Sequence, residues 1–82
     1  MSAQAGVIIV NDAVAVVRQF HAVYVLEDTI FATLDDNAGN DVDDYVTTAA
    51  TAVKAGAMIT PFDRNNPFKE IELTSGSVAI LL

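Results

Sequence analysis

The strongest constraint on this chain lies at its C-terminal end. Phe68-Lys69-Glu70-Ile71-Glu72-Leu73 alternates in polarity with a period of two, which places Ile71 and Leu73 on one side and Glu70 and Glu72 on the other. Thr74-Ser75-Gly76-Ser77 follows and reads as a tight turn in which Gly76 takes a positive φ. Val78-Ala79-Ile80-Leu81-Leu82 then returns, with Val78, Ile80 and Leu82 continuing the apolar side. The pattern predicts a hairpin over 68–82. The chain has 82 residues, enough for one domain, so the rest of it must supply the strands that complete this unit.

It does so in short pieces. Val7-Ile8-Ile9-Val10 is a β-branched run stopped by Asn11-Asp12, and Ala13 to Val17 resumes the apolar character. From Arg18 to Leu26 a strand is expected, with Phe20, Ala22, Tyr24 and Leu26 on one face. Gln19, His21, Val23, Val25 and Glu27 occupy the other. Because both faces carry apolar residues, either the strand is buried on both sides or a neighbouring subunit covers one of them. Glu27-Asp28 marks a turn, and Thr29 to Leu34 has high β-propensity. In the stretch from Val46 to Ala57, alanines favour helix while Thr47, Thr48, Thr51 and Val53 oppose it, so extended or irregular structure is expected up to Gly56. Met58-Ile59-Thr60 reads as a short strand, and Pro61 to Pro67 as a loop. The fold class is therefore all-β: a small antiparallel β-sandwich or barrel, formed by a single domain over 1–82 with an acidic loop at 35–44.

Composition turns this fold into a statement about association. A domain of this size buries only about 60–65% of the surface its unfolded chain exposes. Small folds are often reinforced by disulfides, metals or oligomerisation. The chain has no cysteine, which removes disulfides and thiolate zinc sites. Hydrophobic residues make up 52% and charged residues 18%, which leaves apolar surface for a partner to cover. The expectation is a fold completed or stabilised by association with other chains. The net charge is -7, and Arg18, Lys54, Arg64 and Lys69 are too scattered to form a phosphate-binding patch, which argues against nucleic acid. Apolar runs such as Val7 to Val10 are far short of the roughly 20 residues that span a bilayer, so no membrane partner is expected. Met1-Ser2-Ala3-Gln4-Ala5 lacks the basic start of a secretory signal.

Residues that could carry chemistry are sparse. His21 is the only histidine and has no GxSxG elbow or cysteine to accompany it, so a structural role at a sheet or subunit surface is expected. Glu70 and Glu72 share a strand face, but one that the alternation points toward solvent. Gly56 and Gly76 are isolated and form no phosphate-binding loop. The acidic stretch offers Asp35, Asp36, Asn37, Asp41 and Asp43 as weak calcium candidates, since calcium takes six to eight oxygens. Its spacing does not follow an EF-hand loop, and a solvated turn is the simpler expectation. No enzyme, no cofactor and no catalytic residue are expected.

Three segments carry a resemblance. Asp28-Thr29-Ile30-Phe31-Ala32-Thr33-Leu34, Ala55-Gly56-Ala57-Met58-Ile59-Thr60-Pro61-Phe62, and Ile71-Glu72-Leu73-Thr74-Ser75-Gly76-Ser77-Val78-Ala79-Ile80 resemble small phage-encoded virion proteins of the capsid decoration (cement) kind. The resemblance covers about half of the chain. The acidic insert at 35–44 and the alanine/threonine segment depart from that compact pattern. It implies a β-rich homotrimer on the outer capsid surface that binds the major capsid protein and bridges coat subunits after assembly in the host cytoplasm. Phe20, Tyr24, Phe31, Phe62 and Phe68 are the aromatic residues expected to divide between core and subunit interface. The alternatives are a tail-fibre or spike-like module that recognises a host surface and, behind it, a calcium-dependent domain or small enzyme subunit.

Overall fold

Four strands, β1 (Val7–Val10), β3 (Ala22–Val25), β5 (Met58–Ile59) and β7 (Val78–Leu81), form one antiparallel sheet in the order β1-β7-β3-β5. Three others, β2 (Val16–Phe20), β4 (Ile30–Asp36) and β6 (Phe68–Ser75), form a second in the order β2-β6-β4. A single turn of helix, α1 (Val42–Tyr45), follows β4. The computed structural model describes residues 6–82, so the expectation about an export signal at Met1 to Ala5 lies outside the described residues.

The two sheets pack face to face as a β-sandwich. From the four-stranded sheet, Val10, Val23, Val25, Val78 and Ile80 point into the core. From the three-stranded sheet, Phe20, Phe31, Leu34, Phe68, Ile71 and Leu73 meet them. Phe20 stacks on Phe68 with ring centroids 5.1 Å apart, linking β2 to β6 at the centre of their sheet. Each fully buried side chain of this size contributes about 1.5–3 kcal/mol of transfer free energy. These contributions come from both sheets and from residues far apart in sequence.

The expected C-terminal hairpin is corrected. β6 and β7 flank Gly76 as foreseen, but they belong to different sheets and do not pair. The turn is an arch: Ile71 and Leu73 look across the core at Val78 and Ile80 instead of lying beside them. Alternation reports which side of each strand is apolar, and that side converges on the core in either arrangement. Gly76 does adopt a positive φ, of 94°. A Cβ there would sit 2.6 Å from the carbonyl oxygen of Asp28 and 2.7 Å from the Cα of Thr29, so the arch closes only over glycine.

The single strand expected from Arg18 to Leu26 is also corrected. The backbone bends at His21 and passes from the three-stranded sheet (β2) to the four-stranded one (β3). The bend shifts the alternation by one residue. Phe20 faces inward before it, and Val23 and Val25 face inward after it, while Tyr24 and Leu26 turn outward. The segment expected to be extended or irregular, Val46 to Ala57, contains only an isolated bridge between Val53 and Thr29. The helix lies just before it, inside the acidic stretch, where Asp41 and Asp44 form a capping box.

Candidate functional site, the outer face of the four-stranded sheet

The sequences of β1, β3, β5 and β7 are VIIV, AVYV, MI and VAIL, with no charged side chain and only the Tyr24 hydroxyl as a polar side-chain group. Alternation sends one half of these residues to the core. It sends the other half to a face that no other element covers among the described residues. The registers align that half into rows. Ile9 lies opposite Ala79, Ala79 opposite Tyr24, and Tyr24 opposite Met58, so one row crosses all four strands. The next row runs from Val7 through Leu81 to Ala22. Val7 is 60% exposed, Ile9 52% and Met58 54%, while Ala22 and Ala79 lie low between their larger neighbours.

The other sheet shows what a solvated face of this protein looks like. Thr33, Asp35, Glu70 and Glu72 occupy the outer side of β4 and β6, and Thr33 Oγ1 donates to Glu72 Oε1 at 3.5 Å. An antiparallel sheet with one face in water normally alternates apolar and polar residues in this way. The four-stranded sheet does not alternate. It is apolar on both faces, as expected of a sheet buried on both sides, yet the sandwich buries only one.

The acidic stretch is built differently from the solvated loop expected for it. Asp35 and Asp36 belong to β4, and Asp36 is 1% exposed. Asp36 Oδ1 accepts from the backbone N–H groups of Ala38 and Asn40, both at 2.9 Å, which shapes the turn around Gly39. Asp36 Oδ2 accepts from Asn40 Nδ2 at 3.0 Å and from the Tyr45 hydroxyl. Burial pushes the Asp36 carboxyl upward, but the Tyr45 hydroxyl and the Asn40 and Ala38 donors outweigh it and hold the group at about 2. Burial and the bond to Asp36 push the Tyr45 hydroxyl up to about 12. The Tyr45 ring stacks on Phe62 at 4.1 Å and tilts against Phe68 at 5.0 Å, tying this corner to the core.

This arrangement bears directly on the calcium candidates. Both oxygens of Asp36 are engaged by N–H and O–H donors, so a cation there would have to displace them. Asp41 accepts from the Asp43 N–H as the helix cap, and Asn37 bonds twice to the Pro67 carbonyl. Among the described residues no three carboxylate or imidazole side chains converge. Asp35, Asp36, Gly39, Asn40, Asp41 and Lys69 line a shallow, open depression of about 220 Å³.

The remaining candidates scatter. His21 is exposed at the sheet-switching bend, with its N–H bonded to the Leu81 carbonyl at 2.6 Å. Of the five aromatic residues expected to divide between core and subunit interface, Phe20, Phe31 and Phe68 lie in the core, none more than 4% exposed, so they are not interface residues on this surface. Tyr24 stands on the apolar outer face. Phe62, 64% exposed, lies in the loop beside Tyr45.

Comparison of the chain with protein-family models, with curated proteins and with solved structures finds no match. The apolar face is thus read from its own chemistry. Val7, Ile9, Ala79 and Met58 were not singled out from the sequence. Their signal was the lack of polar residues at alternate positions in VIIV and VAIL, which a search for large aromatics passes over.

Proposed function

We propose that this protein is a structural association module, a capsid decoration protein whose four-stranded sheet is completed on its outer side by other protein subunits. The observation that carries the reading is the row Ile9-Ala79-Tyr24-Met58, an uncharged band across a sheet that faces out of the sandwich. Apolar surface of this kind, bordered by polar residues, marks protein contact sites on small domains. The resemblance of the Asp28–Leu34, Ala55–Phe62 and Ile71–Ile80 segments to decoration proteins supplies the partner in this reading, the major capsid protein on the outer surface of a virion. The net charge of -7 lies outside the apolar sheet, where it steers the module toward basic coat-protein patches and limits nonspecific association. In this role the chain performs no catalysis. The Asp36–Tyr45 pair, its only strongly shifted titratable pair among the described residues, is committed to holding a turn.

The competing reading as a tail-fibre or spike tip would be favoured by exposed aromatics lining a concavity. The depression beside Asp36 is lined by Asp, Asn, Gly and Lys, and Phe62 is not among its walls. Co-sedimentation with capsids of its source virus tests the proposal. Wild-type protein is expected to pellet with capsids, and the Met58→Lys and Tyr24→Lys variants to remain folded in the supernatant. Capsid binding that both variants retain would overturn the assignment of this face.

A further inference from the structure

The apolar sheet ends on one side at β1, whose far edge pairs with no strand among the described residues. The hydrogen-bonding phase of that edge can be read from its partner. The Leu82 N–H donates to the Gly6 carbonyl at 2.9 Å, so Gly6 and Leu82 are a hydrogen-bonded pair. In an antiparallel ladder such pairs alternate with non-bonded ones, so Ile8 and Val10 also bond toward β7. The N–H and C=O groups of Val7 and Ile9 therefore point away from β7, along the open edge.

Sheets normally blunt their edges by brevity, charge, proline or bulges. The other edges here do so. β5 is two residues long and runs into Pro61. β2 carries Arg18 and a register shift between Val17 and Phe20. β4 carries Asp35 and Asp36 and three register shifts. β1 has none of these devices: its four residues keep an unbroken register with β7 and are all Val or Ile.

We propose that β1 pairs antiparallel with β1 of a second copy of this chain, centred on Ile8. This deepens the association reading above and rests on it for the use of the outer face. Centring on Ile8 sets Val7 opposite Ile9 of the second copy and Ile9 opposite its Val7, which satisfies all the outward backbone groups of both residues. Centring on Ile9 would instead draw in Asn11, beyond the strand. Residues opposite one another point to the same side of a sheet, so the pairing also places both outer apolar faces on one side.

Three observations favour a second copy as the occupant. The edge is self-complementary about Ile8, as a two-fold contact requires. It carries no charge, so two chains of net charge -7 meet where repulsion is least. The third is area: three strands of four residues and one of two give one face only about 230 Å² in plan. A standard stable interface takes about 800 Å² per partner. Pairing makes a continuous eight-stranded sheet with twice that apolar area, and a coat partner then engages two copies at once. The symmetry is two-fold, in place of the trimer that the resemblance implies.

The full-length chain supplies the test. Sedimentation equilibrium at micromolar concentration is expected to give twice the 8.7 kDa chain mass. Ile9→Pro removes an N–H that points off the edge and leaves the ladder to β7 intact, so it should raise the dimer Kd by about tenfold or more with unchanged far-UV circular dichroism. As a second measurement, Ile8→Cys places two thiols across a non-bonded pair with Cα atoms about 4.5 Å apart, and mild oxidation should cross-link it while Met58→Cys stays monomeric. A monomeric or trimeric wild type, undiminished association of a folded Ile9→Pro variant, or preferential cross-linking through position 58 would each overturn the edge pairing. Met58→Lys distinguishes the two proposals, since it should leave the dimer intact while abolishing capsid binding.

Discussion

The Tyr45 hydroxyl donates to Asp36 Oδ2 and, at 3.2 Å, accepts from the Phe62 N–H, so one carboxylate and one phenol connect β4, the helix and the loop before β6. What reads in sequence as a run of solubilising acids contains a buried carboxylate, Asp36, near its start.

Acid should therefore loosen this corner first. Asp36 has its ordinary value of 3.8 when unfolded and about 2 when folded. Its contribution is fully present above the unfolded value and disappears as pH falls through about 2. After allowance for solvent screening, roughly 1–2 kcal/mol of stability should be lost between about pH 5 and pH 2. Urea unfolding as a function of pH should show this slope in the wild type, and Asp36→Asn should flatten it. A slope unchanged by the substitution would exclude Asp36 as its source.

Alkali acts on the partner. The Tyr45 hydroxyl ionises near 12 in the fold against 10.0 in the unfolded chain, so its contribution is present below pH 10 and is lost as pH rises through about 12. Absorbance at 295 nm should record a tyrosine ionising together with unfolding in that range. Tyr45→Phe should remove this step.

The arch at Gly76 makes a sharper prediction. Gly76→Ala combines a positive φ with contact against backbone atoms of Asp28 and Thr29, and should cost about 3 kcal/mol or more. Gly39→Ala has a φ of 93° but no atom within 4 Å of the added Cβ, and should cost only about 1 kcal/mol. Denaturation midpoints of the two variants separate steric closeness from backbone conformation.

The aromatic residues should separate by burial. Phe68→Ala removes a fully buried ring that touches both Phe20 and Tyr45, and should cost about 3–5 kcal/mol. Phe62→Ala removes an exposed ring stacked on Tyr45 and should cost about 0.5–1.5 kcal/mol. Equal losses at the two positions would contradict the core described for the sandwich.

Strand content and turns were legible because they are local. Val7 to Val10, Thr29 to Leu34, Met58 to Ile59 and the segments on either side of Gly76 all appear as strands, since β-branched alternation and turn residues act over a few positions. The candidate site was legible only in outline. Surplus apolar residues pointed to a covered face, and of the five aromatics expected to divide between core and interface, three lie in the core and only Tyr24 stands on that face. Large rings fill the space between sheets, while the outer face is assembled from Val, Ile, Ala and Met, with Tyr24 the one aromatic among them.

The amino-acid sequence by itself determined an all-β chain with an apolar excess, no disulfide and a glycine-dependent turn before its last strand. Tertiary structure decided that this turn crosses between sheets and that His21 marks a second crossing. It also decided that Asp36 is buried and that the unpolarised strands share one sheet. Periodicity constrains the side on which a residue lies. Which strands become neighbours depends on long-range packing, and that pairing set Ile9, Ala79, Tyr24 and Met58 in one row.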